Sequence, residues 1–327
     1  MLVVGENGVG KTNLLESLHV GTQGFSPRTR HDAQLVRFGE ETARVALSGR
    51  RGTTSTQTEV LVGAQKRARL NGANLRSAEQ LRTELATLVF TPDRLTVVKG
   101  GPATRRAYFD RALGRLQPAR AGLPVEYGAA LGQRNAALRR VAAGFSSRDA
   151  LEPWTEQVAS LGRALVEARH EAISTLAPAF AERAEELGLP QARLRYAGEP
   201  PSAEALAARL ERDLERGTTG LGPHLDDVTI LSGPRELRSF GSQGEQRLGV
   251  LSLLLAEAEV IVERTGIPPL LLLDDVLSEL DPGRRRILAD RISRDGQTLI
   301  TTTSAAALPA EPSQLLEVSP GDVAWSR

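Results

Sequence analysis

The chain contains no cysteine, which excludes disulfides, thiolate metal sites and a cysteine nucleophile. Histidine is scarce too: His19, His31, His170 and His224 are scattered and give no metal-ligand spacing. Lysine is rarer still. Lys11, Lys66 and Lys99 are the only lysines in a basic complement that is otherwise arginine, a codon-bias pattern against which Lys11 and Lys99 stand out. No run approaches the ~20 apolar residues that span a bilayer. The chain opens on a short apolar strand, Met1–Val4, with no secretory pattern before it, so no membrane contact and a cytoplasmic location are expected. Charge of one sign is not in excess: the net charge is +1, so any nucleic-acid surface has to be a local patch.

What is present is a 327-residue chain, 40 % hydrophobic and 25 % charged, long enough for one large domain or two lobes with an ordinary core. Met1–Val4 reads as a strand ending at a glycine loop, with a helix over Thr12–Val20. Arg44–Leu47 and Thr58–Val62 alternate like strands, and Asn71-Gly72 is a hairpin turn. Leu88–Phe90 is a further strand, closed by Thr91-Pro92-Asp93. The texture then changes, from about Ala103 to Leu187, to long helices rich in Ala, Arg, Leu and Glu. Trp154, Val158, Leu161, Leu165, Ala168 and Ala172 form an apolar seam there at alternating four- and three-residue steps. That seam suits a protruding coiled-coil arm or a helix packed in a bundle, and Pro178 is expected to limit its length. Gly198–Pro201 reads as a linker, with Ser202 capping a helix Ala203–Arg216. Strand texture returns at Val228–Ile230, Leu248–Val262 is a strongly apolar helix, and Leu270–Leu273 and Thr298–Thr302 read as buried strands. The sequence thus divides into an N-terminal segment (residues 1–102), a helical lobe (103–200) and a C-terminal segment (201–327), the first and last expected to form one lobe together.

The chemistry lies in three separated motifs. Gly5-Glu6-Asn7-Gly8-Val9-Gly10-Lys11-Thr12 fits G-x-x-x-x-G-K-[ST] with a strand before it and a helix after it. Its glycines let backbone N–H groups turn toward phosphates at a helix N-terminus. Lys11 would reach the β- and γ-phosphates of ATP, and Thr12 would ligate Mg²⁺. Residues Gly5 to Thr12, with Asn13, are the expected nucleotide contacts. Far along the chain, Leu270–Leu273 delivers Asp274-Asp275, the Walker B arrangement, with Asp274 as the metal acid and Asp275 placed to polarise attacking water. Lys11 and Asp275 are the expected catalytic pair. Adjacent buried-edge acids are costly unless a cation is shared, which favours this metal reading.

The wide spacing of these two motifs suits ABC-type and SMC-type ATPases, in which a helical insertion separates two half-sheets. That class needs a serine-glycine signature acting on a partner's nucleotide. Ser242-Gln243-Gly244-Glu245-Gln246-Arg247 supplies one, with Ser242, Gln243, Gly244 and Gln246 as the residues acting in trans. Ser278-Glu279-Leu280-Asp281 fits the D-loop, with Ser278 and Asp281 as its interface residues.

Together these residues resemble the RecF family of the ABC/SMC superfamily over nearly the whole chain. Gly5–Glu16 is similar to its extended phosphate loop, and Ser26-Pro27-Arg28-Thr29 to the loop after its first helix. Phe90–Asp93, Pro102, Arg105-Arg106 and Asp110 resemble a further family segment, and Gln133-Arg134-Asn135 its helical-lobe motif. Gly222-Pro223-His224, Ser242–Arg247 and Leu271–Asp281 are similar to its C-terminal motifs. The resemblance implies an α/β fold: an ABC/SMC-type P-loop ATPase head with a mixed sheet and a helical second lobe inserted between Walker A and Walker B. It implies a weak ATPase, using ATP and Mg²⁺, that forms an ATP-induced homodimer on DNA at gapped or duplex–single-strand junctions. RecR and RecO would be partners and RecA the recombinase loaded, in DNA repair, replication restart and the SOS response.

Three departures from the family accompany the resemblance. The family usually carries further strands before the phosphate loop. Leu225 stands where its pattern has arginine. Thr301-Thr302-Thr303 occupies the switch position after the last strand, with no histidine, consistent with slow hydrolysis. Arg105, Arg106, Arg139 and Arg140 are the expected DNA-facing residues. His224-Leu225-Asp226-Asp227 reads as a structural histidine at the start of a strand or, less directly, as a metal site. The competing functions are a DNA-binding scaffold with a decayed nucleotide site, which intact Lys11, Thr12, Asp274 and Asp275 disfavour, and an SMC-like ATPase with a non-DNA partner.

Overall fold

The computed structural model describes residues 1–29, 31–292 and 296–326. They gather into two compact units, one of Met1–Leu95, Arg183–Leu189 and Gln243–Arg327, the other of Thr96–Glu182 and Pro190–Ser242.

The first unit is built on a six-stranded sheet. Its order is Asp322–Ser326, Leu315–Ser319, Leu2–Val4, Thr298–Thr302, Leu270–Asp274, Thr87–Phe90. Every neighbouring pair is parallel except the hairpin at the Asp322–Ser326 edge, which makes the sheet mixed, as expected. Parallel strands covered on both faces read as unbroken aliphatic runs. Leu271, Leu272 and Leu273 are all buried for that reason. A second, antiparallel sheet runs Ala43–Arg51, Thr54–Val62, Arg67–Leu70, Ala73–Asn74. Its last hairpin turns on Asn71 and Gly72, both at positive φ, the conformation that selects this dipeptide.

Helix Lys11–Gln23 packs against both sheets through two separate apolar clusters. Leu15 packs with Val3, Val89, Leu272 and Leu299 of the large sheet, and Val20 with Val60, Val62 and Ala68 of the small one. A helix covered on two sides buries polar residues as well, and each finds a partner. His19 Nδ1 meets the Phe25 carbonyl at 2.9 Å, Thr22 donates to Leu18, and Gln23 donates to Leu85.

The second unit contains helices Pro102–Leu116 and Leu123–Ala142, most of the long helix Glu152–Glu186, and the small sheet Ala192–Tyr196, Val228–Ser232, Arg235–Glu236. Val158, Leu165, Ala168 and Ala172 of the apolar seam are buried, so this helix is packed and forms no protruding arm. It also runs through Pro178, against expectation. A proline removes one helical bond, and the buried Leu176 and Phe180 beside it supply packing that carries the helix past. Ser202 caps its helix by accepting from the Ala205 N–H, but that helix ends at Ala208 and a second, Leu210–Arg216, follows. The expected break at 200–201 falls inside this unit. Val228–Ser232 pairs antiparallel with Ala192–Tyr196, and that pairing holds residues up to Ser242 with the helices.

Three buried or half-buried ion pairs tie the second unit together. Arg134 meets Asp213 at 2.9 Å, Arg169 grips Asp110 through two bonds, and Arg105 grips Asp227 likewise. Each arginine is satisfied further: Arg134 by Thr219, Arg169 by the Pro223 carbonyl, and Arg105 by the Gly100 carbonyl. Charges taken out of water need such partners. Arg134 is the least complete of the three, its Nη2 being buried with no hydrogen-bond partner among the described residues.

Candidate functional site

Parallel pairing decides where the separated motifs meet. Thr298–Thr302 lies between Leu2–Val4 and Leu270–Asp274, so all three strands end at one edge of the sheet. Thr301 is in register with Val3 on one side and Asp274 on the other. Ligands of α/β sheets bind at such carboxyl ends.

The loop after Val4 needs its glycines. A Cβ on Gly5 would lie 2.4 Å from the Val318 carbonyl oxygen of the adjoining strand. Gly8 and Gly10 have φ of 84° and 112°, a region open to glycine at no steric cost. Gly10 opens helix Lys11–Gln23 with no side-chain cap, so its first N–H groups are directed at the loop. Glu6, Asn7 and Gly8 are exposed and Val9 half-buried. The Lys11 ammonium, largely buried, donates to the Gly5 and Glu6 carbonyls at 2.8 Å each. Asn13 is exposed and accepts a 3.3 Å bond from Arg28, which also pairs with Glu16. Ser26 completes this clasp by bonding Glu16 and accepting the Arg28 and Thr29 N–H groups, so the loop Ser26–Thr29 is tied to the phosphate-loop helix.

Thr12 and Asp274 meet although they are 262 residues apart: the Thr12 hydroxyl stands 3.1 and 3.0 Å from the two carboxylate oxygens. The donor set is hydroxyl and carboxylate oxygen, which suits a small hard cation. Among the described residues no group of three or more His, Cys, Asp or Glu could hold a metal by itself. An ion here would share its shell with phosphate oxygens and water, the habit of magnesium. The site fits that ion.

Asp275 adopts a left-handed backbone, φ 50°, unusual for a residue with a side chain. Two contacts hold it there. Its N–H donates to the Thr301 hydroxyl at 3.0 Å, and its Oδ2 accepts from Ser278 at 2.9 Å. The same Thr301 hydroxyl donates to Asp274 Oδ1 at 2.6 Å. Thr301 is 1 % exposed and links both acids, a role that sequence reading missed. The available signal was a polar residue next to the end of the strand that the parallel topology places beside Asp274.

The remaining expected residues separate into three groups. Ser242, Gln243 and Gly244 are exposed at the start of helix Gln243–Thr265, as a residue acting in trans must be. Gln246 is not: it is 4 % exposed, turned inward by helical periodicity, and cannot offer its side chain to a second subunit. Arg247 pairs with Glu279, which ties the start of helix Gln243–Thr265 to the segment Val276–Glu279. Ser278 bonds Asp275, and Asp281 caps helix Pro282–Ile292 by accepting the Arg284 N–H, a bond that lowers its pKa.

The arginines expected to face DNA differ sharply. Arg105 is 1 % exposed and fully engaged with Asp227, Val98 and Gly100, so it does not meet a phosphate. Arg106 is half-buried on the Asp226 carbonyl, and desolvation pulls its pKa down. Arg139 and Arg140 are exposed. His224 takes the structural role: Nδ1 lies 2.7 Å from the Tyr127 hydroxyl and Nε2 3.0 Å from the Thr219 carbonyl. Leu225 beside it is exposed.

A family described as "RecF/RecN/SMC N terminal domain" matches residues 1–322. A DNA replication and repair protein RecF of Heliobacterium modesticaldum is 36 % identical, over 95 % of this chain and 88 % of its own length. That of Anaeromyxobacter dehalogenans is 41 % identical, over 92 % of this chain and 86 % of its own. The chain belongs to the RecF family. A solved RecF–ATP structure, described as a recombination mediator protein in the RecFOR pathway, superposes with a TM-score of 0.90 at 28 % identity, covering 100 % of this chain and 91 % of that one. The Smc head domain of Pyrococcus furiosus, at 17 % identity and a TM-score of 0.56, shares the fold. RecF membership therefore fixes the fold class as that of an SMC/ABC-type ATPase head. Among the described residues no helix is long and apolar enough to cross a membrane.

Proposed function

We propose that this protein binds ATP with Mg²⁺ at the edge formed by Gly5–Asn13, Asp274, Asp275 and Thr301, and acts on DNA as an ATP-dependent homodimer in recombinational repair. The observation that carries this is the meeting of Thr12 and Asp274 at 3.0–3.1 Å beside uncapped helix N–H groups. The RecF relatives and their ATP-bound structure support it.

In this reading Lys11 exchanges its two loop carbonyls for the β- and γ-phosphates. Thr12 and Asp274 hold the metal, which when bound supplies charge neutralisation at the phosphates. Asp275 orients water in a slow hydrolysis that reopens the dimer. Ser242, Gln243 and Gly244 complete the nucleotide site of the second subunit. The DNA bound is a gap or a duplex–single-strand junction, where RecR and RecO cooperate in placing RecA, in the cytoplasm and in service of replication restart and the SOS response.

Equilibrium titration tests the core of this. Lys11→Ala and Asp274→Ala should each weaken Mg-ATP binding by at least about tenfold, since each removes a charge interaction of the order of 1.5–3 kcal/mol. Unchanged affinity in either variant would remove the assignment.

A further inference from the structure

Helix Leu123–Ala142 ends on Arg139 and Arg140, and the chain leaves it through Ala142, Ala143, Gly144 and Phe145, all exposed. This exit is a fixed turn. Gly144 has φ 76°, its N–H donates to Val141 at 3.0 Å, and the Phe145 N–H donates to Arg140 at 2.8 Å. Such a cap normally folds its following apolar residue back onto the helix. Here the Phe145 ring is 78 % exposed. Beside it, the Arg140 side chain is exposed and makes no hydrogen bond or ion pair among the described residues, while Arg139 gives one donor to the Gly217 carbonyl at 3.3 Å. On the neighbouring helix Leu210–Arg216, Glu211 is already paired with Arg148 and Asp213 with Arg134.

We propose that Phe145, Arg139 and Arg140 form a contact for unpaired nucleic acid, the ring stacking on a base and the guanidiniums meeting the flanking phosphates. This rests on the DNA-binding reading above and adds where a single strand is held. A rigidly presented ring with adjacent cations matches what a single strand offers: every base has a π-face, and every linkage a phosphate. Bases within a duplex are already stacked and give the ring no face. A protein partner suits the corner less well, because a docking surface needs a contiguous apolar core, and Phe145 is flanked in the chain by alanine, glycine and serine.

The test uses the full chain with ATP and Mg²⁺, a blunt duplex, and the same duplex carrying an oligo(dT) overhang, read by fluorescence anisotropy. The wild type should bind the overhang substrate more tightly. Phe145→Ala should lose roughly tenfold on the overhang substrate, within the range for one stacked base. It should leave duplex affinity and melting temperature unchanged, and Phe145→Trp should retain the preference. Arg140→Gln should reduce the slope of log affinity against log salt on the overhang substrate by about 0.7, the share of one single-strand phosphate contact. A wild type that binds neither DNA overturns the DNA reading itself. A wild type that binds both, with an overhang preference that survives Phe145→Ala, overturns this contact alone. A Phe145→Ala variant whose sedimentation changes without DNA assigns the ring to protein contact and overturns it as well.

Discussion

One hydroxyl shows what the residue scale adds to a motif. The phosphate loop and Asp274-Asp275 are legible in sequence because their chemistry demands those residue types at fixed spacing. Thr301 is not legible, because threonine is common in strands and its task depends on which strand lies beside it. In the fold it donates to Asp274 and accepts from Asp275, so it sets one carboxylate's direction and the other residue's left-handed backbone. Thr301→Val keeps the shape and removes both bonds. It should lower Mg²⁺-dependent ATP affinity and turnover while leaving metal-free nucleotide binding near wild type, and Thr301→Ser should restore both. Leaving the Asp275 N–H without its acceptor should also cost about 1–3 kcal/mol of stability, read by denaturant titration. Equal loss of binding with and without metal would make the residue merely structural. Arg105 teaches the converse. The arginine pair at 105–106 fits phosphate recognition equally well in sequence, and only tertiary structure shows Arg105 enclosed by Asp227 and backbone carbonyls.

At the scale of elements, periodicity and turn chemistry located the four buried parallel strands Leu2–Val4, Thr87–Phe90, Leu270–Asp274 and Thr298–Thr302 and the Asn-Gly hairpin, because buried parallel strands leave aliphatic runs and Asn-Gly marks its turn. They missed Ala192–Tyr196, Leu315–Ser319 and Asp322–Ser326, short strands with charged or polar residues on an exposed side. They failed where packing overrides local propensity: at Pro178, at Arg209 between two short helices, and at 201–242. The last segment belongs with the helices through side chains that the family resemblance marks without explaining. Asn135 accepts from the Thr219 N–H and hydroxyl, Arg134 donates to Thr219 and Asp213, and Tyr127 bonds His224, so helix Leu123–Ala142 anchors the loop before Val228–Ser232. His224 should make that anchor pH-sensitive. Desolvation lowers its pKa most, Arg106 lowers it further, and the Thr219 carbonyl, Asp226 and Asp213 oppose them. Tyr127, which burial pushes upward, stays a neutral donor. With a folded pKa below the unfolded one, the unfolded state takes up the proton first as pH falls. This contribution is full above the unfolded value of about 6.5 and is lost as pH drops through it toward the folded value. Thermal melts at pH 7.5 and 5.5 should therefore differ less in His224→Gln than in the wild type. An equal acid shift in both would assign the acid sensitivity to other groups.

At the scale of the whole molecule, the first unit holds a nucleotide site, and Ser242, Gln243 and Gly244 stand exposed where its helix Gln243–Thr265 begins. A serine that completes a second subunit's site contacts nothing in its own, so Ser242→Arg should leave monomer ATP affinity near wild type. It should abolish ATP-induced dimerisation, because the guanidinium would fill the place of the γ-phosphate contact and a buried unpaired charge costs about 3–5 kcal/mol. That is roughly a hundredfold or more in the dimerisation constant. ATP-dependent DNA binding should fall with it. Sedimentation of variant and wild type with ATP and Mg²⁺ reads the outcome directly, and a variant that still dimerises removes Ser242 from the interface. Mixing sharpens the result. In a pair of one Asp275→Asn and one Ser242→Arg subunit, one composite site joins the intact Asp275 of the latter to the intact Ser242 of the former, and the other site is blocked. Such a mixture should recover hydrolysis that neither variant shows alone, since removal of the water-orienting acid costs about 10²–10⁴-fold and blockage of the signature prevents assembly. Recovery requires that the two motifs work across subunits. A mixture no more active than its components would mean that Ser242 and Asp275 serve the same chain, with the phosphate loop a ligand site that drives no dimerisation.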